Sequence, residues 1–290
     1  MDPTLGARFP VVNYDLAATL TSGQVFRWQR QAQGWEGVIG PHWVRLSANH
    51  HGIRVTLAEP VTGWGWLTDY LRINEDLDRV LATFPGDAPM RAATTACQGL
   101  RLVRQDPWEC LASFILSSTK QIIQIHQIVA QLCQRFGTSL AVPPGHAPAF
   151  AFPTATRLAD CTEAELRACK MGFRAPYLLN TARRVASGEI NLPALADQSV
   201  DTARARLMSL PGVGRKIADC VLLFACGFAE VFPVDVWIMK ALRQLYFPRR
   251  RPAPGALRRF ADTHFGPHAG YAQQYLFHFM RTRHPEAWIP

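Results

Sequence analysis

The chain has 290 residues, 48% of them hydrophobic, with 31 lysines and arginines against 22 aspartates and glutamates, a formal charge of +9 and a pI near 9.5. That length buries a large core and accommodates two or three subdomains, and the basic balance favours a polyanionic partner. No apolar run is long enough to span a membrane, Met1-Asp2-Pro3-Thr4 opens no signal-peptide pattern, and seven scattered cysteines without a CxxC pair give neither a zinc site nor a disulfide framework, so a reducing intracellular compartment is expected.

Residues 1 to about 95 carry short, partly alternating runs rich in aromatic and β-branched residues. These are Val25–Trp28, Trp35–Ile39, His42–Leu46 and Gly52–Leu57, punctuated by Gly, Pro, Asn and His. They predict a meandering antiparallel sheet. Trp64–Leu71 and Leu77–Thr83 predict helices that close this first domain.

From about residue 96 the pattern turns helical. Asp106 is placed as an N-cap and Pro107 as the first residue of a helix running to Leu116. Gln121–Phe136 has apolar residues at 122, 125, 128, 129 and 132 and stops at Gly137. Val142–Pro153 reads as a loop. Further helices are predicted from Thr162, over Ala175–Ala186, Val200–Ser209, Lys216–Cys226, Val236–Tyr246, Ala256–Thr263 and Ala269–Arg281. Pro248-Arg249-Arg250-Arg251-Pro252 reads as a solvated loop, with direct DNA contact the lesser reading.

The stretch Leu210-Pro211-Gly212-Val213-Gly214-Arg215-Lys216 carries the strongest functional signal. Gly212 and Gly214 let the backbone bend sharply and bring N–H groups against a phosphate, and Arg215 adds charge beside them. Lys216 follows at once. It is one of only four lysines, with Lys120, Lys170 and Lys240, in a chain whose cations are otherwise arginine. A lysine attacks carbon only as the neutral amine, and the apolar Ile217, Val221, Leu222 and Phe224 around it supply a desolvating setting. Asp235, at the mouth of the next helix, is a plain N-cap on the bland reading. A capping carboxylate also stays ionised, so it can stabilise a cationic sugar or take up protons. Asp219 is a rival carboxylate, read as helix surface or salt bridge. A phosphate-clamping lysine in a non-catalytic DNA-binding module is the plainer alternative for the whole hairpin.

Several motifs in order resemble those of 8-oxoguanine DNA glycosylase/AP lyases of the eukaryotic type, within the helix-hairpin-helix-GPD superfamily and in a bacterial form. They are Ser22-Gly23-Gln24-Val25-Phe26-Arg27-Trp28, Arg104–Cys110 with Ser117-Ser118, Gly172-Phe173-Arg174-Ala175, the hairpin with Lys216–Cys220, Val234-Asp235-Val236, and Ala269–Gln273 with Leu276-Phe277. The resemblance spans most of the chain. It implies an α+β protein in two parts: a β-rich, TATA-box-binding-protein-like domain over residues 1–95, and a helical catalytic domain over 96–290.

The resemblance further implies a monomeric enzyme, cytoplasmic or nucleoid-bound in a bacterium and nuclear in a eukaryote. It would remove 8-oxoguanine from double-stranded DNA and nick the strand. No cofactor or catalytic metal is required, and the hairpin carbonyls are a place for a structural monovalent or divalent cation. The iron–sulfur loop of the endonuclease III-like relatives is missing, because no cysteine follows Cys226. Lys216 and Asp235 are implied as catalytic. Gly23 would offer its carbonyl to N7–H of the lesion, Gln273 would read the base edge, and Phe277 and Cys220 would sandwich the ring. Gly212, Val213, Gly214 and Arg215 would hold DNA phosphates, with Phe173 and Arg174 at the opposite base.

Departures from the family pattern also fall on DNA-facing positions. Thr119, Lys120 and Gln121 replace an Asn-rich turn, Gln124 stands where a cytosine-reading arginine is expected, and Trp237 replaces a histidine. A glycosylase for alkylated purines and a non-catalytic DNA-binding module are the competing functions.

Overall fold

A computed structural model describes residues 3–117 and 121–283. Among these the chain forms a five-stranded antiparallel sheet and a helical body. The strands are β1 (Thr4–Phe9), β2 (Gln29–Gln31), β3 (Gly34–Ile39), β4 (His42–Asn49) and β5 (Gly52–Val61), in the order β1-β5-β4-β3-β2. Arg45 lies opposite Glu36 in the β3–β4 register, and their side chains form an ion pair at 2.7 Å. Leu46, Ile53, Val55 and Leu57 bury one face of the sheet against Leu16, Leu20 and Leu67 from the short helices α1 (Leu16–Thr21) and α2 (Gly65–Tyr70), and against Leu71, which caps α2.

Val25–Trp28 is not a strand. Val25, Phe26 and Trp28 are all buried, so the segment is an internal connection rather than a half-exposed ribbon. Side-chain bonds at Gln24, just before it, tie this connection to residues 101–105. Gln24 donates to Arg101 O at 2.8 Å and accepts from Val103 N at 2.9 Å, and Gln105 donates to Gln24 O at 2.8 Å.

The helical body contains α3 (Leu77–Leu81), α4 (Ala88–Ala96), α5 (Pro107–Ser117) and α6 (Ile122–Phe136), then the two-residue strands β6 (Ser139–Leu140) and β7 (Ala149–Phe150). There follow α7 (Ala155–Ala159), α8 (Glu163–Leu166), α9 (Ala175–Ala186), α10 (Val200–Met208), α11 (Arg215–Val221), α12 (Val236–Tyr246), α13 (Pro254–His264) and α14 (Ala269–Arg283). Leu77, Val80, Met90 and Ala93 of α3 and α4 join the same apolar core as α5, α11 and α14. Caps fix the helix starts. Asp106 accepts from Glu109 N at 2.8 Å and Asp235 accepts from Ile238 N at 2.7 Å.

The two layers are stitched at the turn that follows α1. Gln274 of α14 donates to Ser22 O at 2.8 Å, and Arg281 donates to Thr21 O at 2.6 Å. These bonds hold Gly23 against α14.

Candidate active site

The hairpin between α10 and α11 turns on Gly212, whose φ of +75° suits glycine. A side chain there would also collide with Tyr177: a Cβ would come within 2.6 Å of its ring. Gly214 then caps α11. Arg215 does not point into open space. Its guanidinium reaches both carboxylate oxygens of Asp262 at 3.2 Å and lies 3.5 Å from Asp219. Asp219 is not on the helix surface. It is 3% exposed and bonded by Arg204 at 2.7 Å, because α10 packs over that face. Burial pushes its carboxyl above the ordinary range against the pull of the two arginines. This network braces the hairpin.

Lys216, in the first turn of α11, is half-buried. Its ammonium lies 3.2 Å from Ser117 Oγ and 5.0 Å from the centre of the Phe114 ring, both on α5. Cys220 lies one turn on, on the same side of α11. Burial pushes the Cys220 thiol up to about 12. The Lys216 ammonium pulls it down by less, and the Asp235 carboxylate pushes the same way as burial. Cys220 is therefore a neutral thiol at pH 7 rather than the thiolate of an ion pair. Cys220 lies within electrostatic reach of both Lys216 and Asp235. Asp235 is half-buried at the N-terminus of α12.

A second group of residues singled out from the sequence meets where α14 packs on the turn after α1. Gly23 has φ +81°, and a Cβ there would meet Ile122 Cδ1 at 3.1 Å and Phe277 Cε1 at 3.4 Å. Phe277 is half-buried, and Gln273, one turn before it, is 5% exposed. Gln273 Oε1 makes no hydrogen bond among the described residues. A buried amide oxygen without a partner suits a ligand that brings its own donor.

Phe173 and Arg174 sit on a tight turn before α9. Phe173 is 58% exposed, Arg174 is buried, and the guanidinium stacks 4.4 Å from the Phe173 ring centre. Burial lowers the Arg174 pKa from its ordinary value. At the start of α6, Gln121 N donates to Gln124 Oε1 at 3.1 Å, so the Gln124 carboxamide is engaged as a helix cap. Thr119 and Lys120 lie outside the described residues. Sequence reasoning missed Phe114 as the aromatic face over Lys216 and Ile122 as a neighbour of Gly23. Ser117 is quoted within a motif, but nothing in the motif couples it to the lysine. Among the described residues, no group of three or more His, Cys, Asp or Glu side chains is placed to hold a metal ion.

Comparison with known proteins covers both parts of the chain. Residues 7–111 match the family model of the 8-oxoguanine DNA glycosylase N-terminal domain, and residues 112–265 match that of the HhH-GPD superfamily base excision DNA repair protein. The chain is 30% identical to a probable N-glycosylase/DNA lyase of Methanothermobacter thermautotrophicus, over 94% of this chain and 96% of that protein. The solved structure of MBOgg1 with a low-affinity DNA ligand superposes with a TM-score of 0.91 at 30% identity, covering 98% of this chain and 99% of that one. The Clostridium acetobutylicum 8-oxoguanine glycosylase/lyase, bound to double-stranded DNA with cytosine opposite 8-oxoG, gives 0.88 at 28% identity, with coverage of 98% and 99%. The chain belongs to the HhH-GPD superfamily of base excision DNA repair proteins, in the branch that carries the 8-oxoguanine DNA glycosylase N-terminal domain.

Proposed function

We propose that this chain excises 8-oxoguanine from duplex DNA and then cuts the strand, with Lys216 as the nucleophile. The observation that carries this reading is an amine directly after the Gly-rich hairpin, held 3.2 Å from Ser117 Oγ and 5.0 Å from the Phe114 ring centre, with Asp235 capping the next helix. The likeness to the N-glycosylase/DNA lyases supports both activities. In the proposed reaction the neutral Nζ bonds to C1′ as the C1′–N9 bond breaks, and the leaving base takes that electron pair and a proton. Asp235 stabilises the positive charge that develops on the sugar. The aminal opens to a Schiff base. Loss of a C2′ proton then expels the 3′-phosphate by β-elimination.

In this reading Gly23 O accepts from N7–H of the lesion, and an undamaged guanine presents a lone pair there instead. Gln273 Oε1 takes a donor from the base edge, and the base lies between Phe277 and Cys220. Gly212, Val213 and Gly214 offer backbone N–H groups to phosphate. Phe173 and Arg174 address the opposite strand. No cofactor enters any step. A structural cation fits the hairpin in its donor chemistry, since the Pro211, Gly212 and Val213 carbonyls accept no backbone hydrogen bond among the described residues.

Borohydride reduction during reaction on a duplex containing 8-oxoguanine tests the core of this proposal. It captures the Schiff base as a covalent protein–DNA adduct. Adduct from the unmodified chain and none from Lys216→Gln is the expected result. Base release without any adduct would mark a monofunctional glycosylase, and neither product would mark a binding module.

A further inference from the structure

Between Val236 and Ala261 the chain carries seven lysines and arginines and no carboxylate. This cationic run starts one residue after Asp235. On α12, Trp237, Lys240 and Gln244 are spaced to lie along one face, with Phe247 just past its end, and the Lys240 ammonium sits 5.5 Å from the Trp237 ring centre. Beyond the helix, Pro248–Arg251 folds back to form a cleft of about 600 Å³ lined by Lys240, Arg243, Gln244, Phe247, Arg250 and Arg251. Lys240, Arg249, Arg250 and Arg251 are exposed, and none forms an ion pair among the described residues. Arg243 Nε is buried without a hydrogen bond among them. By contrast Arg215, Arg204, Arg45 and Arg27 all have carboxylate partners. Cations gathered in a groove with no anion nearby repel one another, and a bound polyanion removes that cost.

We propose that this groove is a second phosphate-binding track, which carries the duplex away from the active site along α12. The inference rests on the DNA-repair reading above. The distance along the helix from Asp235 to Phe247 is roughly 18 Å, which spans about five base steps of a DNA strand. The arginines are donors to phosphate oxygens and Phe247 gives an apolar floor against sugar. The track contacts no base, so it adds affinity without sequence or lesion preference. It lengthens the footprint beyond the hairpin.

Equilibrium binding to undamaged duplex tests the track independently of any excision. The salt dependence is measured for the unmodified chain, for Arg249→Ala/Arg250→Ala/Arg251→Ala, and for a control with equal charge loss on the sheet, Arg8→Ala/Arg30→Ala/Arg54→Ala. The loop variant should lower the slope of log K against log salt by about 1 for each phosphate no longer neutralised, hence by about 2 to 3. The control should leave the slope near that of the parent. The loop variant should also erase most of the advantage of a duplex of about 30 base pairs over one of about 11, roughly one helical turn. All six substituted residues are exposed, so the folds survive. An unchanged slope in the loop variant, as expected if the groove holds an acidic protein instead, overturns the proposal. So does an equal loss in the sheet control, which would reduce the effect to net charge. Failure of borohydride trapping with intact salt behaviour would overturn the excision reading and leave the track standing.

Discussion

Lys216 Nζ lies 3.2 Å from Ser117 Oγ, across the interface between α11 and α5. The same hydroxyl donates to Phe114 O at 2.7 Å, so its lone pairs face the amine. Ser117 thereby aims the nitrogen whether it is charged or neutral. Ser117→Ala should slow single-turnover base release by roughly tenfold, the worth of one hydrogen bond to a charged or reacting group, while duplex affinity holds. Parental rates in the variant would make the hydroxyl a bystander.

Asp235 both caps α12 and faces the reacting sugar in the proposed chemistry. Asp235→Asn keeps an oxygen for Ile238 N but loses the charge. It should melt within a few degrees of the parent and react at least about 100-fold more slowly, the range of a lost electrostatic partner. Asp235→Ala should add a stability loss of about 1 kcal/mol from the missing cap. A folded Asp235→Asn protein with parental rates would reduce this residue to a cap.

Gly23→Ala tests the proposed base-binding role of the turn after α1. The φ of +81° makes any side chain there cost about 1 to 2 kcal/mol. The new methyl would sit 3.1 Å from Ile122 and 3.4 Å from Phe277, in the space a flipped base needs. Excision should fall steeply while binding to undamaged duplex stays at the parental level. Equal excision by the two proteins would place the base elsewhere.

The contrast between α12 and Val25–Trp28 shows what a sequence reveals. Val236–Tyr246 is read to the residue because its signals are local: Asp235 before it, helical periodicity within it, and Pro248 just beyond. Val25–Trp28 has strand composition, but it is buried as a connection anchored at Gln24, whose partners Val103 and Gln105 are about 80 residues away in the chain. The first strand and α1 carried weaker signals. Thr4–Phe9 becomes a strand only by pairing with β5, and α1 is a six-residue helix whose cue is Asp15 capping Ala18 N. In the site, Lys216 and Cys220 are legible as neighbours because both lie on α11 at a spacing of four. Ser117 and Phe114 are not, since α5 meets α11 only through the tertiary core. Arg215 illustrates the converse. Its position suggests a phosphate ligand, and the fold also pairs it with Asp262 and Asp219.

Acid should loosen the joint that holds Gly23. His126 and His278 both lie near Arg281, the side chain that grips Thr21 O. Burial, then for both rings the nearby Arg281 charge, lowers their pKa values from 6.5, although a backbone bond at Phe26 opposes this for His126 and Asp15 opposes it for His278. A lowered folded pKa means that the unfolded chain takes up the proton first. Stability from these neutral rings is therefore complete above 6.5 and lost as pH falls through the folded values. The denaturant midpoint should drop less between pH 7 and pH 5 in His278→Gln than in the parent, the two pH values bracketing 6.5. Parallel pH curves would mean that His278 protonates equally in both states.

Opposite-base discrimination should be present but moderate. Cytosine offers O2 and N3 as acceptors, which two arginines would read well. Here Arg174 is one candidate reader, buried and stacked on the exposed Phe173. The other position is Gln124, whose Oε1 already accepts Gln121 N. Its remaining amide N–H groups can donate, without charge and without the fork of a guanidinium. The absence of one charge-assisted bond to the base is worth about 1 to 3 kcal/mol. Cytosine should remain the preferred partner, with appreciable excision opposite thymine, guanine or adenine. Gln124→Arg should sharpen the preference, at a small stability cost for the missing cap. Arg174→Ala should nearly erase it. Because Arg174 is buried, Arg174→Lys serves as the folded control: it keeps the charge, loses the planar fork, and should fall between. Single-turnover rates on four duplexes that differ only in the paired base measure all of this. An enzyme that cuts solely opposite cytosine, with Gln124→Arg changing nothing, would place the reading of that base on other residues.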